Sequence, residues 1–132
     1  MNIMLDTHTL LWAIGKSEEL SKKVISEIEN ADNDVFVSAV SLWEIALKTS
    51  IGKLKLSFSL ANIPNYCETM NFSLLPLDPL DALDSKNLPF KNNHKDPFDR
   101  LLIHQSIKHK YALASKDSKI KLYKDCGLVI LW

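Results

Sequence analysis

Apolar residues fall in short runs separated by amphipathic stretches, and the alternation predicts strands and helices in turn. Asn2 to Asp6 is an apolar, strand-like run that ends in an acid, and Thr7 to Ile14 follows with the clustering of a short helix stopped by Gly15. Leu20, Val24, Ile25 and Ile28 recur at helical spacing, so Glu18 to Ala31 reads as an amphipathic helix with Ser21 available to cap it. Val35-Phe-Val37 is a second strand, and a helix capped by Ser38 or Ser41 runs from it to Gly52. From Ser57 to Asn71 a helix either contains Pro64 or is broken by it, and Phe72 to Leu77 reads as a strand ended by its proline. Asp78 to Leu88 suggests a short helix and Pro89 to Lys95 a polar loop. Pro97 suits the first position of a helix capped by Asp96, with Leu101, Leu102, Ile103 and Ile107 as its apolar face. Tyr111 to Ser115 is a strand, Asp117 to Tyr123 a short helix, and Leu128 to Trp132 a closing strand.

Strands and helices alternating at this length predict an α/β fold: a three-layer α/β/α sandwich around a mainly parallel sheet, with residues 1–132 as a single domain. A chain of 132 residues, 46% hydrophobic and 24% charged, has the balance of a soluble globular protein. No apolar stretch approaches the roughly 20 residues of a membrane span, and a basic leader is not expected. Cys67 and Cys126 lack metal-type spacing, which argues against a disulfide framework or structural zinc and for a reducing, cytoplasmic setting. Sixteen basic residues balance sixteen acidic ones, so net charge does not argue for a polyanion partner. The distribution is uneven, however: up to Ser50 there are four Lys against eight acids, whereas Ile51 to Trp132 holds twelve Lys or Arg against eight.

In a sheet of this kind ligands gather beyond the carboxyl ends of the strands, and acids stand at those stations. Asp6 ends the first strand, Glu44 lies on the helix after the second, Asp99 is in the first turn of the helix before the fourth, and Asp117 follows that strand. Four converging acids would demand a counter-charge, and hard divalent cations such as Mg²⁺ or Mn²⁺ take such oxygen ligands. Metal-assisted phosphodiester hydrolysis is the natural chemistry of the group. Each acid also has a plainer reading: Asp6 as a helix cap, Glu44 at a solvent edge, and Asp99 as the capping-box partner of Asp96. Arg100 is placed to pair with an acid or a phosphate, and Lys48 to pair with Glu44 one helical turn away.

Other chemistries lack their signatures. His8, His94, His104 and His109 have no zinc spacing and read as surface or satisfied core residues, with His8 alone near the acids. Three glycines make no phosphate loop, and no nucleophile elbow is present. Trp12 and Trp43 read as core, with a partner-binding groove as the alternative.

Met4-Leu-Asp-Thr-His-Thr-Leu-Leu-Trp12, Val37-Ser-Ala-Val-Ser-Leu-Trp-Glu-Ile-Ala-Leu-Lys48, His94-Lys-Asp-Pro-Phe-Asp-Arg-Leu-Leu-Ile103, Ala114-Ser-Lys-Asp117 and Val129-Ile-Leu-Trp132 together resemble a PIN domain, most closely the VapC-like ribonuclease toxins of toxin–antitoxin pairs. The order and spacing carry the resemblance rather than any one motif. It implies a divalent-metal-dependent endoribonuclease in which Asp6, Glu44 and Asp99 hold Mg²⁺ or Mn²⁺, Asp117 is a fourth, assisting acid, and Thr7 and Ser115 have support roles. It also implies an RNA substrate, a homodimer, and a cognate antitoxin that blocks the site. Residues 54–88 carry no family signature. Two rivals remain: a metal-dependent phosphatase or phosphotransferase using Asp6 as nucleophile, for which His8 stands where a second acid is wanted, and a non-catalytic module that holds RNA or a partner.

Overall fold

The computed structural model describes residues 1–132. Five strands, β1 (Asn2–Leu5), β2 (Asp34–Ser38), β3 (Phe72–Leu75), β4 (Ala112–Ala114) and β5 (Val129–Leu131), form one sheet in the order β3-β2-β1-β4-β5, with every neighbouring pair parallel. The helices are α1 (Thr7–Gly15), α2 (Lys22–Glu29), α3 (Ala39–Ser50), α4 (Ile63–Thr69), α5 (Pro79–Asp84), α6 (Pro97–His109) and α7 (Ser118–Lys121). No helix is long and apolar enough to cross a membrane.

Period-two alternation in short strands, buried on both faces at the centre of the sheet, explains the layers. Ile3 and Leu5 of β1 point into a core with Leu10 of α1, Val24 of α2 and Ile63 of α4, while Met4 between them points into a second core with Leu102 and Ile103 of α6 and Ile120 of α7. The same split divides Ala112 and Ala114 from Leu113 in β4. The sheet is thus sandwiched as the alternation predicts. Cutting any of these buried aliphatic side chains back to Ala would cost about 2–5 kcal/mol.

Several boundaries differ from the sequence reading. Glu18 and Glu19 lie in a separate 3₁₀ turn, Ser17–Glu19, because Ser21 accepts the amide of Val24 and starts α2 only at Lys22. Pro64 neither sits inside a long helix nor breaks one. It occupies the first turn of α4, where its missing N–H is no loss, after a 3₁₀ turn at Leu60–Asn62. Strand β3 ends at Leu75, and α5 stops at Asp84 before the 3₁₀ turn Ser85–Asn87.

The strand order matters most for function. The chain builds β1, β2 and β3 outward in one direction, then returns across the sheet to place β4 and β5 on the other side of β1. Between the carboxyl ends of β1 and β4 the direction reverses, which leaves a crevice that no connection fills.

Candidate active site

Asp6 leaves β1 at that crevice. Its amide donates to the Ala114 carbonyl at the end of β4 (3.1 Å), and one carboxylate oxygen accepts the Thr9 amide (2.8 Å), so it caps α1 and still faces the crevice. Capping and site are one position here, rather than alternatives. Beneath it, the wholly buried Ser115 accepts the Asp117 amide at 3.1 Å. Burial raises the Asp6 carboxyl above its ordinary value, against the hydrogen bond from Thr9 and the nearby Ser115 hydroxyl.

Ser38 ends β2 and caps α3 through the Val40 amide (3.1 Å), and the six-residue step from Ser38 brings Glu44 round to the crevice. Only 4% of Glu44 is exposed, so the solvent-edge reading fails. The Thr7 hydroxyl donates to one of its oxygens, and Lys48 pairs with the other across one turn of α3.

At the start of α6, Asp96 is the cap: it accepts the Asp99 amide at 2.9 Å, with Pro97 at the first helical position. That is one half of a capping box, but the Asp99 carboxylate does not return the bond to the Asp96 amide. Its partner is the His94 Nε2 at 3.0 Å. Burial pushes the Asp99 carboxyl up to about 6, a shift the His94 hydrogen bond opposes and the charges of Asp96 and Asp117 reinforce. Asp117 caps α7 by accepting the Lys119 amide (2.8 Å).

Asp6, Thr7, Glu44, Asp99 and Asp117 thus line one crevice of about 460 Å³, together with Asp96, Lys48, Lys116 and Lys119. Four of them come from four different connections of the sheet. Acids crowd there beyond what the lysines offset, and two of them are held above their ordinary pKa values. A hard divalent cation would relieve both, and the donors are all oxygen. In the rotamers present, no three acid or histidine side chains converge on a single metal position. Glu44 is turned to Lys48 and Thr7, and Asp99 to His94, so protein donors stand where a cation's charge is wanted.

Three residues behave differently from the sequence reading. His94 is not an idle histidine but a buried neighbour of the site, its Nδ1 enclosed without a partner. Arg100 meets no carboxylate: its buried guanidinium donates to the carbonyls of Leu88 (2.6 Å) and Pro89 (3.0 Å) and to the Tyr123 hydroxyl (3.3 Å), which ties the 88–94 loop down over α6. Trp43 is 54% exposed, because α3 turns Glu44 and Ile45 inward and leaves Trp43, Leu47 and Ile51 on its outer face. The signal that could have found His94 was its place five residues before Asp99, at the end of a polar loop.

Known proteins match nearly the whole length of the chain. Ribonuclease VapC22 of Mycobacterium tuberculosis is 25% identical over 134 residues, covering 98% of both chains. Among solved structures, VapBC2 from Rickettsia felis bound to a promoter DNA fragment matches with a TM-score of 0.60 at 19% identity, over 98% of this chain and 97% of that one. VapBC-1 from nontypeable Haemophilus influenzae matches with a TM-score of 0.64 at 15% identity, over 98% and 96%. At those identities the structures attest a shared fold. The PIN domain profile covers residues 3–125, and the chain belongs to the PIN domain family.

Proposed function

We propose that residues 1–132 form a single PIN-like nuclease domain that hydrolyses RNA phosphodiester bonds internally, with a divalent cation, as the toxin of a toxin–antitoxin pair. The observation that carries this reading is the gathering of Asp6, Glu44, Asp99 and Asp117 at the crevice between β1 and β4. The likeness to a VapC ribonuclease supports the RNA substrate.

Asp6, Glu44 and Asp99 would hold Mg²⁺ or Mn²⁺. Bound there, the cation would supply an activated water and stabilise charge developing on the phosphate. The chain's own residues set the stage for that. Thr7 orients Glu44, the Thr9 amide holds Asp6, and His94 holds Asp99, so each acid has a dedicated donor. Asp117 adds negative charge near Asp99 and strengthens the site's demand for a cation. Lys116 and Lys119 at the rim offer charge to the substrate phosphate.

An antitoxin and a second copy of the chain are the proposed protein partners, in the cytoplasm. The outer stripe of α3, where Trp43, Leu47 and Ile51 are 54%, 39% and 56% exposed, is the surface that supports such contacts. The solved relatives are VapBC complexes.

The test is scission of cellular RNA by the purified chain, free of antitoxin, in Mn²⁺ or Mg²⁺. Discrete cuts that vanish with EDTA and in Asp99→Asn are expected. Metal-independent scission, or scission undiminished in a folded Asp99→Asn, would overturn the reading. Hydrolysis of a small phosphate ester with RNA left whole would favour the phosphatase alternative.

A further inference from the structure

Next to the acid-lined crevice lies a second groove of about 440 Å³, and the two share His94, Asp96 and Lys119 as a common lip. Their charges are opposite in character. The crevice is lined by five carboxylates, those of Asp6, Glu44, Asp96, Asp99 and Asp117, whereas the groove has Asp96 alone against Lys91, Lys95 and Lys119. Lys91 is committed to Asp125 at 2.6 Å, but Lys95 and Lys119 are exposed and belong to none of the ion pairs.

The floor of the groove is held in place. Asn92 and Asn93 both adopt left-handed backbone (φ 48° and 58°), and their side chains are exposed. The Arg100 guanidinium anchors the loop on either side, at Leu88 and Pro89 and, at 3.5 Å, at the His94 carbonyl. Phe90 lies in the same loop, 61% exposed, with the Arg100 guanidinium 3.8 Å from its ring centroid. Exposed amides and unpaired lysines along one track, with an exposed aromatic in the adjoining loop, are what a single-stranded nucleic acid needs: charge for its phosphates and a face for a base.

An acidic centre selects against the phosphates on either side of the bond it cuts, so a strand needs cations at its next station. We infer that single-stranded RNA leaves the acidic crevice over the Lys119 lip and lies in this groove, its phosphates paired with Lys95 and Lys119 and its backbone met by Asn92 and Asn93. The inference rests on the nuclease reading and names the path the substrate takes through it. Substrates that end at the crevice would not use the groove.

The experiment measures anisotropy of labelled single-stranded RNA, about 4 or about 12 nucleotides long, on the full-length Asp99→Asn chain across a salt series. Lys95→Gln and Lys119→Gln are added singly, with Lys22→Gln on the distant α2 as control. Each groove lysine that pairs with a phosphate should lower the salt slope for the longer strand by about 0.7 and weaken its binding several-fold, with the Lys22→Gln control little changed, and the short strand little changed in Lys95→Gln, whose lysine lines the groove and not the crevice. Slopes unchanged in Lys95→Gln and Lys119→Gln, equal losses in the control, or no binding of the longer strand at low salt would overturn the inference. Scission by the wild-type chain, followed in parallel with metal, separates the two readings. Lysine-dependent binding without scission would sink the nuclease and keep the groove; scission with lysine-independent binding would do the reverse.

Discussion

Asp81 and Asp99 are both aspartates paired with a histidine, one on α5 and the other on α6, yet their surroundings drive them in opposite directions. Asp81 is buried, with 3% of its side chain exposed, and takes Lys108 at 2.6 Å and His109 at 2.8 Å. Burial pushes its carboxyl up, but hydrogen bonds from Lys108 and His109 outweigh that and bring it below its ordinary value. Asp99 is more exposed, at 23%, and has only His94, with Asp96 and Asp117 nearby as like charges. Its carboxyl rises to about 6. One acid is satisfied by the protein and clamps α5 to the end of α6; the other is left short of positive charge. An ion pair that completes itself is architecture, and one that stays incomplete at the mouth of a sheet is a site for something else to complete.

The contrast can be broken at either end. The largest expected effect is on RNA scission in Asp99→Asn, which should fall by about 100-fold or more because an oxygen donor to the cation loses its charge. Initial rates at saturating Mn²⁺ check it, and Asp81→Asn should cut at the wild-type rate under the same conditions. His94→Ala comes next. Without its partner the Asp99 carboxylate is free to turn, and a loss of roughly 10- to 100-fold in scission or metal affinity is expected, with a lower melting temperature from the lost buried ring and partial rescue of scission in His94→Gln.

Stability should reverse the ranking. Asp81→Asn removes the buried charge and one of the two acceptor oxygens that Lys108 and His109 use, and should lose about 1–2 kcal/mol in urea unfolding, whereas Asp99→Asn should lose none. The smallest effect is in the pH dependence without metal. Asp81 has a lowered pKa, so its contribution is full above the ordinary value of 3.8 and disappears as pH falls through the lowered one. Asp99 has a raised pKa, so its ionised form destabilises the fold above about 6, and the strain is relieved as pH falls toward 3.8. Asp99→Asn should therefore exceed the wild type by up to about 1 kcal/mol at neutral pH in EDTA and converge with it near pH 4. Parallel urea titrations across that range check the sign.

How far each of these residues could be read in the sequence follows from what kind of interaction places it. Asp6, Glu44 and Asp117 sit at fixed offsets from strand ends, and the periodicity that marks the strands also marks them. Asp99 could be placed near the crevice but not pointed into it, because the choice between cap and site turned on its carboxylate meeting His94 rather than the Asp96 amide. Arg100 was out of reach for a different reason, and His94 was marked only by its place five residues before Asp99. Their positions come from a loop whose carbonyls fold back onto a buried guanidinium, a contact that leaves no period in the sequence. Trp43 was misread as core because a tryptophan among aliphatic residues carries no mark of which side of the helix the sheet lies on. Pro64 shows the same limit in the backbone: a proline that starts a helix and one that breaks it look alike until the preceding turn is known.

The central claim, that the Asp99 crevice lacks positive charge and takes a divalent cation while the Asp81 cluster does not, is tested most directly by thermal unfolding with and without Mn²⁺ in the wild type, Asp99→Asn and Asp81→Asn. Binding to the folded state alone raises the melting temperature. Mn²⁺ should raise it in the wild type and in Asp81→Asn and leave Asp99→Asn unmoved. An equal rise in Asp99→Asn, or none in the wild type, would contradict the account.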